Sequence, residues 1–366
     1  MNFDYNEEQQ LLADSVRRFI QKDYDFEARK KFVASAEGYS EKVWGTFAEM
    51  GLTGIPFSPD YGGFGGGAVD LLSVMEAFGE GLVVEPYLAT LLGAQGVAGA
   101  GSDAQKQAIL PGAVAGKLKM AFAFSEKGAR YDLAPAAVKA KKAGSGWTLD
   151  GEKVVVLGAP AAAKLVVSAL APAGPSLFLV DAKCVKMKPY RTLDEMRAAD
   201  VVFPGTAAEL LGPEGKALPV IEEVVDFATA LVCAEAVGAM KFACDTTLEY
   251  LKTRKQFGVP IGTFQALQHR MVDMVVAYEQ ARSMACLACS RVDGAADAKE
   301  RAHAVSAAKI KIADNARLIS QEAIQLHGGM GMSEELKVSH AFRRLTMIAQ
   351  QFGDADHHLE RFARLG

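Results

Sequence analysis

Cysteine is scarce. Five in 366 residues, Cys184, Cys233, Cys244, Cys286 and Cys289, form an odd set without framework spacing, which excludes a disulfide scaffold and argues for free thiols. Cys286 and Cys289 make a Cys-x-x-Cys on an apolar helical stretch with no second pair, whereas zinc requires four converging ligands; a buried helix face accounts for them. The six histidines lack His-Glu-x-x-His spacing, and the adjacent His357 and His358 point to different faces of a helix, so no metal is predicted. Long apolar runs are missing too: nothing approaches the ~18 residues of a membrane span. Residues Met1 to Glu8 are polar and acidic rather than basic then apolar, so neither a membrane nor a secretory leader is expected, and the location expected is cytoplasmic. Charge of one sign is absent as well. With 40 Lys and Arg against 44 Asp and Glu, interspersed to a net −4, there is no basic face for nucleic acid.

What the chain does have is apolar material, 50% against 23% charged, the balance of an ordinary globular protein. Its length exceeds one comfortable core, so two or three lobes are expected. Asn6, followed by Glu7, Glu8 and Gln9, is a helix start, because these side chains satisfy free N–H groups and suit the dipole. Leu11, Leu12, Val16, Phe19 and Ile20 supply the stripe behind it. Further helices are predicted from Val43 to Met50, Asp70 to Glu80 and Pro86 to Leu92, between Gly- and Pro-bearing turns. The run from Tyr61 to Gly67 is rich in glycine but lacks a Lys-Ser/Thr ending and a preceding strand, so it reads as a flexible turn rather than a phosphate loop.

From about Met120 the texture changes. Met120 to Phe124, Ala137 to Lys141, Trp147 to Leu149, Lys153 to Leu157, Leu165 to Ala169, Ser176 to Val180 and Ala199 to Phe203 are short strand-like runs, and Asp150-Gly151 is a hairpin signal. Strands without intervening helices imply an antiparallel barrel or sandwich, not a Rossmann sheet. After Pro213 and Gly215 long helices return, near Leu218 to Thr253, Phe264 to Val292, Ala295 to Leu326, Glu334 to Ala349 and Ala355 to Ala363. On the first of these, Ala230, Ala234 and Gly238 share one face and admit a close neighbour. The expected fold class is mostly α with a β middle domain: helical 1–117, β 118–212, and a four- or five-helix bundle 213–366.

Two C-terminal segments carry chemistry. Arg254-Lys-Gln-Phe-Gly258, followed by Phe264-Gln265 and Gln268-His269-Arg270, is one; Gln325-Leu-His-Gly-Gly-Met-Gly331 is the other. Arg guanidinium pairs with pyrophosphate oxygens, Phe packs a cofactor, and glycines let backbone N–H groups approach closely. Taken singly, an Arg-Lys pair at a helix end or a Gly-Gly cap has purely structural readings. Their joint order, with the α–β–α plan, resembles the acyl-CoA dehydrogenases over essentially the whole chain. The resemblance implies that Arg254, Phe257, Gln265, Gln325, Gly328 and Gly329 bind the adenosine-pyrophosphate half of an FAD belonging to a neighbouring subunit.

The middle domain resembles the family less fully. Phe122-Ala-Phe124-Ser125 lies where the family's strand contacts the flavin ring, whereas Arg130 and Tyr131 replace the small pair that accommodates the thioester, and bulk there would narrow or re-route the tunnel. Val155-Val-Leu157 stands where the family usually has Trp-x-Thr against the flavin.

Family chemistry removes the α-proton of an acyl-CoA with a carboxylate that must touch the α-carbon. The usual glutamate position falls on Phe352, and the alternative position on the first long bundle helix falls on Ala228, beside Thr229. Both lack a carboxylate. The backbone N–H of Phe352 would still serve as an oxyanion donor. Asp226 sits about 200° round the helix from Ala228. Asp354 is a weak alternative base, and Asp354 and Asp356 are placed against the cofactor or at the start of the last helix.

Motifs lent across an interface are kept while those of the chain's own pocket are changed. That pattern resembles the small subunits of heteromeric α2β2 acyl-CoA dehydrogenases such as the pimeloyl-CoA type, with electron-transfer flavoprotein as the suspected acceptor. A homo-oligomeric enzyme with a relocated base, a non-catalytic assembly subunit, and a flavin oxidase or monooxygenase on the same fold stay open at this point.

Overall fold

The computed structural model describes residues 6–144 and 146–366. Helices precede and follow a β region, and the chain forms two compact units, each made of separate stretches of sequence.

The first unit comprises residues 6–30, Gly67–Val83 and Thr229–Gly366. Its helices are α1 (Glu7–Asp23), the start of α2 (Phe26–Ala34), α4 (Ala68–Gly81), most of α7 (Leu218–Thr253), α8 (Gln265–Gly294), α9 (Ala298–His327), α10 (Lys337–Gln350) and α11 (Ala355–Leu365). Asn6 forms the predicted capping box with Gln9, at 2.8 and 3.0 Å. In the stripe behind it Leu11 is a correction: it is 65% exposed, while Ala13, Val16 and Ile20 face inward. On α9 the buried positions Val305, Ala308, Ile312, Ala316, Ile319 and Ala323 recur at helical spacing, and α8 answers with Met274, Ala281, Ala285 and Ala288. Small residues let these helices pack tightly. The small-residue face of α7 works as read from the sequence. A Cβ on Gly238 would lie 1.8 Å from the Glu76 carbonyl, and one on Gly79 of α4 would lie 1.9 Å from that of Glu235. Only glycine permits this crossing of α4 and α7. A buried Arg344–Glu235 pair, Nε to Oε1 2.6 Å and Nη2 to Oε2 2.5 Å, ties α10 to α7.

The second unit comprises Lys31–Gly66 and Val84–Ala228. It holds α3 (Glu41–Glu49), α5 (Tyr87–Ala100), α6 (Asp103–Val114) and seven strands: β1 (Met120–Ala123), β2 (Lys139–Ala143), β3 (Gly146–Leu157), β4 (Lys164–Ala171), β5 (Gly174–Asp181), β6 (Lys186–Arg191) and β7 (Arg197–Leu211). Pairing runs β4-β2-β3-β7-β5 and back to β4, which closes a barrel, with β1 on β4 and β6 on β7. Its core includes Trp147, Leu149, Val156, Leu165, Phe178, Val180, Val201 and Phe203.

Several expectations change here. The Asp150-Gly151 hairpin does not exist: β3 runs straight through it, and Asp150 instead accepts the N–H of Gly205 at 3.1 Å, where β7 carries one extra residue. A turn signal has become a bulge signal. Two predicted strands therefore merge into β3, and β6, with four of its six residues exposed, is an addition. The sheet is not wholly antiparallel, since β1 and β2 both pair with β4 in parallel. Helices α2 and α6 were not expected. The glycine-rich loop is pinned: Gly65 and Gly66 donate to the carbonyls of Phe57 and Ile55 at 2.7 and 2.8 Å, and a Cβ on Gly63 would meet the Phe57 oxygen at 2.1 Å.

Candidate functional site

The bundle brings one set of predicted residues together. Arg254 follows the end of α7, its N–H donating to Tyr250 O and its carbonyl accepting from Ile261, each at 2.8 Å. Between them a two-stranded ribbon, β8 (Lys255–Gln256) and β9 (Val259–Pro260), pairs Gln256 with Val259 and leaves Phe257 and Gly258 as its turn. Both turn residues have positive φ, 53° and 83°, as the right-handed twist of a tight ribbon requires. Glycine adopts this freely; phenylalanine is strained by about 1–3 kcal/mol. The Phe257 ring is 91% exposed and touches Phe264 edge-on at 6.2 Å.

Gln265 opens α8 and Gln325 lies near the end of α9, both exposed. Arg270 bonds Glu322 at 2.6 Å, and Tyr250 stacks on His327 at 4.5 Å, so the end of α7, the start of α8 and the end of α9 are held side by side. Gly328 and Gly329 follow in a short 3-10 turn. A Cβ on Gly331 would lie 2.6 Å from the Ile324 carbonyl, which explains that glycine from within; a Cβ on Gly328 or Gly329 would meet nothing within 4 Å. Thus Arg254, Phe257, Gln265, Gln325, Gly328 and Gly329 share one exposed end of the bundle. A guanidinium, amide side chains and glycine backbone open to approach suit the pyrophosphate and adenosine of a dinucleotide.

Phe352 lies in the loop between α10 and α11, also with positive φ, 58°, followed by Gly353 at 117°. Here the strain is supported from inside. Lys309 of α9, buried, donates from Nζ to the carbonyls of Ala349, Gln351 and Gly353 at 3.3, 2.7 and 2.5 Å. His358 Nε2 donates to the Phe352 carbonyl at 3.0 Å, which leaves Nδ1 to accept from Ser306 at 3.3 Å. Burial pulls the Lys309 ammonium down to about 8, against the opposing influence of Cys233 and Asp354. Burial, and next the Lys309 charge, push His358 down to about 2, so its ring is neutral. The sequence reading noted His358 only as one of two adjacent histidines and missed Lys309, for which the signal available was a lysine on the apolar stripe of α9. Asp354 N-caps α11, accepting His357 N–H at 2.9 Å, and Asp356 is exposed in its first turn. Both therefore sit at the start of the last helix.

In the other unit Ala228 is wholly buried and Asp226 nearly so. Phe122 and Phe124 stack at 5.5 Å at the end of β1, and Ser125 is half-buried beside them. That segment is tied to β3: Lys153 Nζ donates to Phe124 O at 3.0 Å, and Val154 N–H to Ser125 O at 3.0 Å. Lys153 is 0% exposed and also bonds Glu126 at 2.8 Å and Ser168 at 3.0 Å. Glu126 further accepts the N–H groups of Ala136, Ala137 and Val138 at 2.8, 2.6 and 3.0 Å. Burial alone would raise this carboxyl, but Lys153 and the amides outweigh it and hold it below its ordinary value. Burial brings Lys153 down to about 8, with Glu126 opposing. This pair anchors both ends of the segment carrying Arg130, exposed at φ 50°, and the half-buried Tyr131. The sequence reading missed it. Val155 stands 47% exposed on a bulge of β3 with φ 52°.

Comparison with known proteins agrees with this layout. Residues 6–117 match the family described as acyl-CoA dehydrogenase, N-terminal domain, and residues 215–365 match acyl-CoA dehydrogenase, C-terminal domain. The chain is 29% identical over 381 residues to the probable acyl-CoA dehydrogenase YngJ of Bacillus subtilis, covering 99% of this chain and 98% of that one. Among solved structures it resembles the Tcur3481-Tcur3483 steroid ACAD, with a TM-score of 0.89, 29% identity, and coverage of 98% of this chain and 97% of that one. PigA with FAD and proline gives a TM-score of 0.91 at 27% identity, covering 100% and 98%. Matched at both ends and superposing over nearly its full length, the chain belongs to the acyl-CoA dehydrogenase superfamily of FAD-dependent oxidoreductases.

Proposed function

We propose that this chain is the FAD-supporting small subunit of a heteromeric acyl-CoA dehydrogenase whose other subunit carries the catalytic glutamate. One observation carries the reading: the residues suited to a neighbour's dinucleotide converge, exposed, at one bundle end, while both base positions hold side chains without a proton acceptor, Phe352 and Ala228. Exposed Phe257, Phe264, Met330 and Met332 add apolar surface at that end, as a protein contact requires. A relocated base is not supported by Asp354, whose carboxylate caps α11.

In this reading FAD, when bound, supplies the acceptor for the hydride leaving the β-carbon of an acyl-CoA thioester. Arg254 pairs with the pyrophosphate, Phe257 packs the adenosine side, Gln265 and Gln325 supply amide contacts, and Gly328 and Gly329 admit the backbone close to the phosphates. Phe122, Phe124 and Ser125 are the candidates for the ring side, and Arg130 and Tyr131 for the substrate side. Phe352 moves no proton. Residues 1–117, 118–212 and 213–366 serve as helical, β and bundle domains, and an electron-transfer flavoprotein takes the electrons. The steroid ACAD to which the chain is similar carries a two-component name, which is in keeping with a paired assembly.

The test is co-expression with a glutamate-bearing acyl-CoA dehydrogenase chain, followed by native mass measurement and a dye-linked acyl-CoA assay. A mixed oligomer active only as the pair is expected, with Arg254→Ala lowering its flavin content at least severalfold. Turnover by this chain alone overturns the reading.

A further inference from the structure

Helix α8 is thinly covered by its own chain. From Met271 to Ala281 it buries one stripe, Met271, Met274, Ala277 and Ala281, and apart from the half-buried Tyr278 it exposes the residues between. Three of those are valines, Val272, Val275 and Val276, and with Leu318 of α9 they stand between 41% and 59% in solvent. Single exposed apolar residues need no explanation, but a contiguous patch does. Helix propensity does not supply one, because β-branched side chains are poor helix formers.

Between α8 and α9 lies a groove of about 450 Å³ with Val276, Ala277 and Leu318 in its lining. Two carboxylates, Asp273 and Asp314, and two cations, Lys311 and Arg317, also line it, so its charges cancel and it does not select a ligand of one sign. Asn315 Nδ2 donates to Ala277 O at 2.7 Å and Arg270 bonds Glu322 at 2.6 Å, which sets the two antiparallel helices with these residues level. Asp273 of α8 is then level with Ile319 of α9, and so within about 3 Å, along the helices, of Arg317. Asp273 has no hydrogen-bond or ion-pair partner among the described residues. Arg317 has a 3.6 Å contact with Asp314, exposed on both sides and therefore easily exchanged. An acid on one helix and a base at nearly the same level on the other make the groove complementary to itself. If a second copy is turned over about a two-fold axis running along the groove, α8 of each lies on α9 of the other. Asp273 of each copy then meets Arg317 of the other, and Leu318 of each falls level with the gap between Val272 and Val276 of the other.

We propose that the α8–α9 groove is an isologous interface joining two copies of this chain, with reciprocal Asp273–Arg317 ion pairs flanking an apolar centre of Val272, Val276 and Leu318. It goes beyond the subunit reading, which concerns a different chain at the end of the bundle; Ala277 lies about 18 Å along α8 from Gln265. Where both contacts form, the groove joins two mixed pairs into one assembly.

Full-length wild type, Asp273→Arg, Arg317→Asp and Val276→Asp would be followed by sedimentation velocity over a concentration series. All three positions are exposed, so each variant keeps its fold, which its circular dichroism spectrum checks. Wild type alone is expected to dimerise, and each variant to do so at least tenfold more weakly. An equal mixture of Asp273→Arg and Arg317→Asp should recover the dimer, because each brings the charge that the other now needs; Val276→Asp should be rescued by neither. A wild-type chain that stays monomeric, a dimer indifferent to the three substitutions, or a charge-swapped mixture that stays apart overturns the inference. Co-expression with a glutamate-bearing acyl-CoA dehydrogenase chain separates the two readings. A mixed pair that forms with its full flavin although wild type never self-associates leaves the subunit reading standing without this interface. A charge-dependent homodimer that takes up no second chain leaves the interface standing without the subunit reading.

Discussion

Two phenylalanines of the bundle unit share a left-handed backbone and differ in almost everything else. Phe352 sits half-buried in a loop whose carbonyls are gathered by Lys309 and His358. Phe257 stands at a ribbon tip, 91% exposed, with Phe264 edge-on to its ring. Strain of about 1–3 kcal/mol persists only where surroundings enforce it. For Phe352 those surroundings belong to the same chain, in the Lys309 and His358 side chains that hold the loop's carbonyls. For Phe257 they lie in the hydrogen-bonded turn of the β8–β9 ribbon, which points the ring outward.

The largest effect is expected at the internal support. Lys309→Met should cost about 3 kcal/mol at pH 7, because it leaves three buried or half-buried carbonyls without their donor. The pH dependence carries a sign. The Lys309 value in the fold, about 8, lies below the ordinary 10.5, so between those limits the unfolded chain holds more protons. Wild-type stability should therefore rise relative to the variant from about pH 8 to 10.5, by up to about 1.4 kcal/mol per pH unit. Urea titrations at several pH values check this. A gap that stays flat or narrows breaks the contrast, since the amine would then not be the buried clamp described.

The opposite sign is expected at the exposed end. Phe257→Gly relieves the turn and should stabilise the isolated chain by about 1 kcal/mol, while weakening the mixed oligomer and its flavin content. A melt of the chain alone and native mass measurement of the co-expressed pair read the two effects separately. If stability and assembly fall together, Phe257 is packing for its own chain and the comparison fails.

How much of this was legible beforehand follows a physical line. The bundle helices α7 to α11 were placed within a few residues, because long apolar periodicity and Gly or Pro stops are local signals. The Asn6 capping box and the close face at Gly238 were legible for the same reason. What failed depended on partners distant in sequence. Asp150-Gly151 carries a turn signature, but Gly205, 55 residues away, makes it a bulge. The strand β6 exists because β7 pairs with it, not because its exposed, lysine-rich sequence favours a strand. The resemblance pointed to Arg254, Phe257 and the glycines by motif. It was silent on Lys309, Lys153 and Glu126, whose roles come from hydrogen bonds that no local pattern encodes.

The smallest expected change in stability is also the sharpest discriminator, because it compares two glycines two residues apart. Gly331→Ala forces a methyl to within 2.6 Å of the Ile324 carbonyl and 3.1 Å of the His327 Cβ, so the turn after α9 must shift and the fold should lose about 1–3 kcal/mol. Gly329→Ala places its methyl in open space at an unremarkable φ, and stability should stay within about 0.5 kcal/mol of wild type. Flavin retention should move for a different reason in each case. In Gly331→Ala it falls along with the melting temperature; in Gly329→Ala it falls severalfold at an unchanged melting temperature, because the methyl occupies space left for a phosphate rather than for the protein. Gly329→Ala retaining its full flavin complement would mean that nothing approaches that backbone, and the exposed end of the bundle would lose its claim to be a cofactor surface.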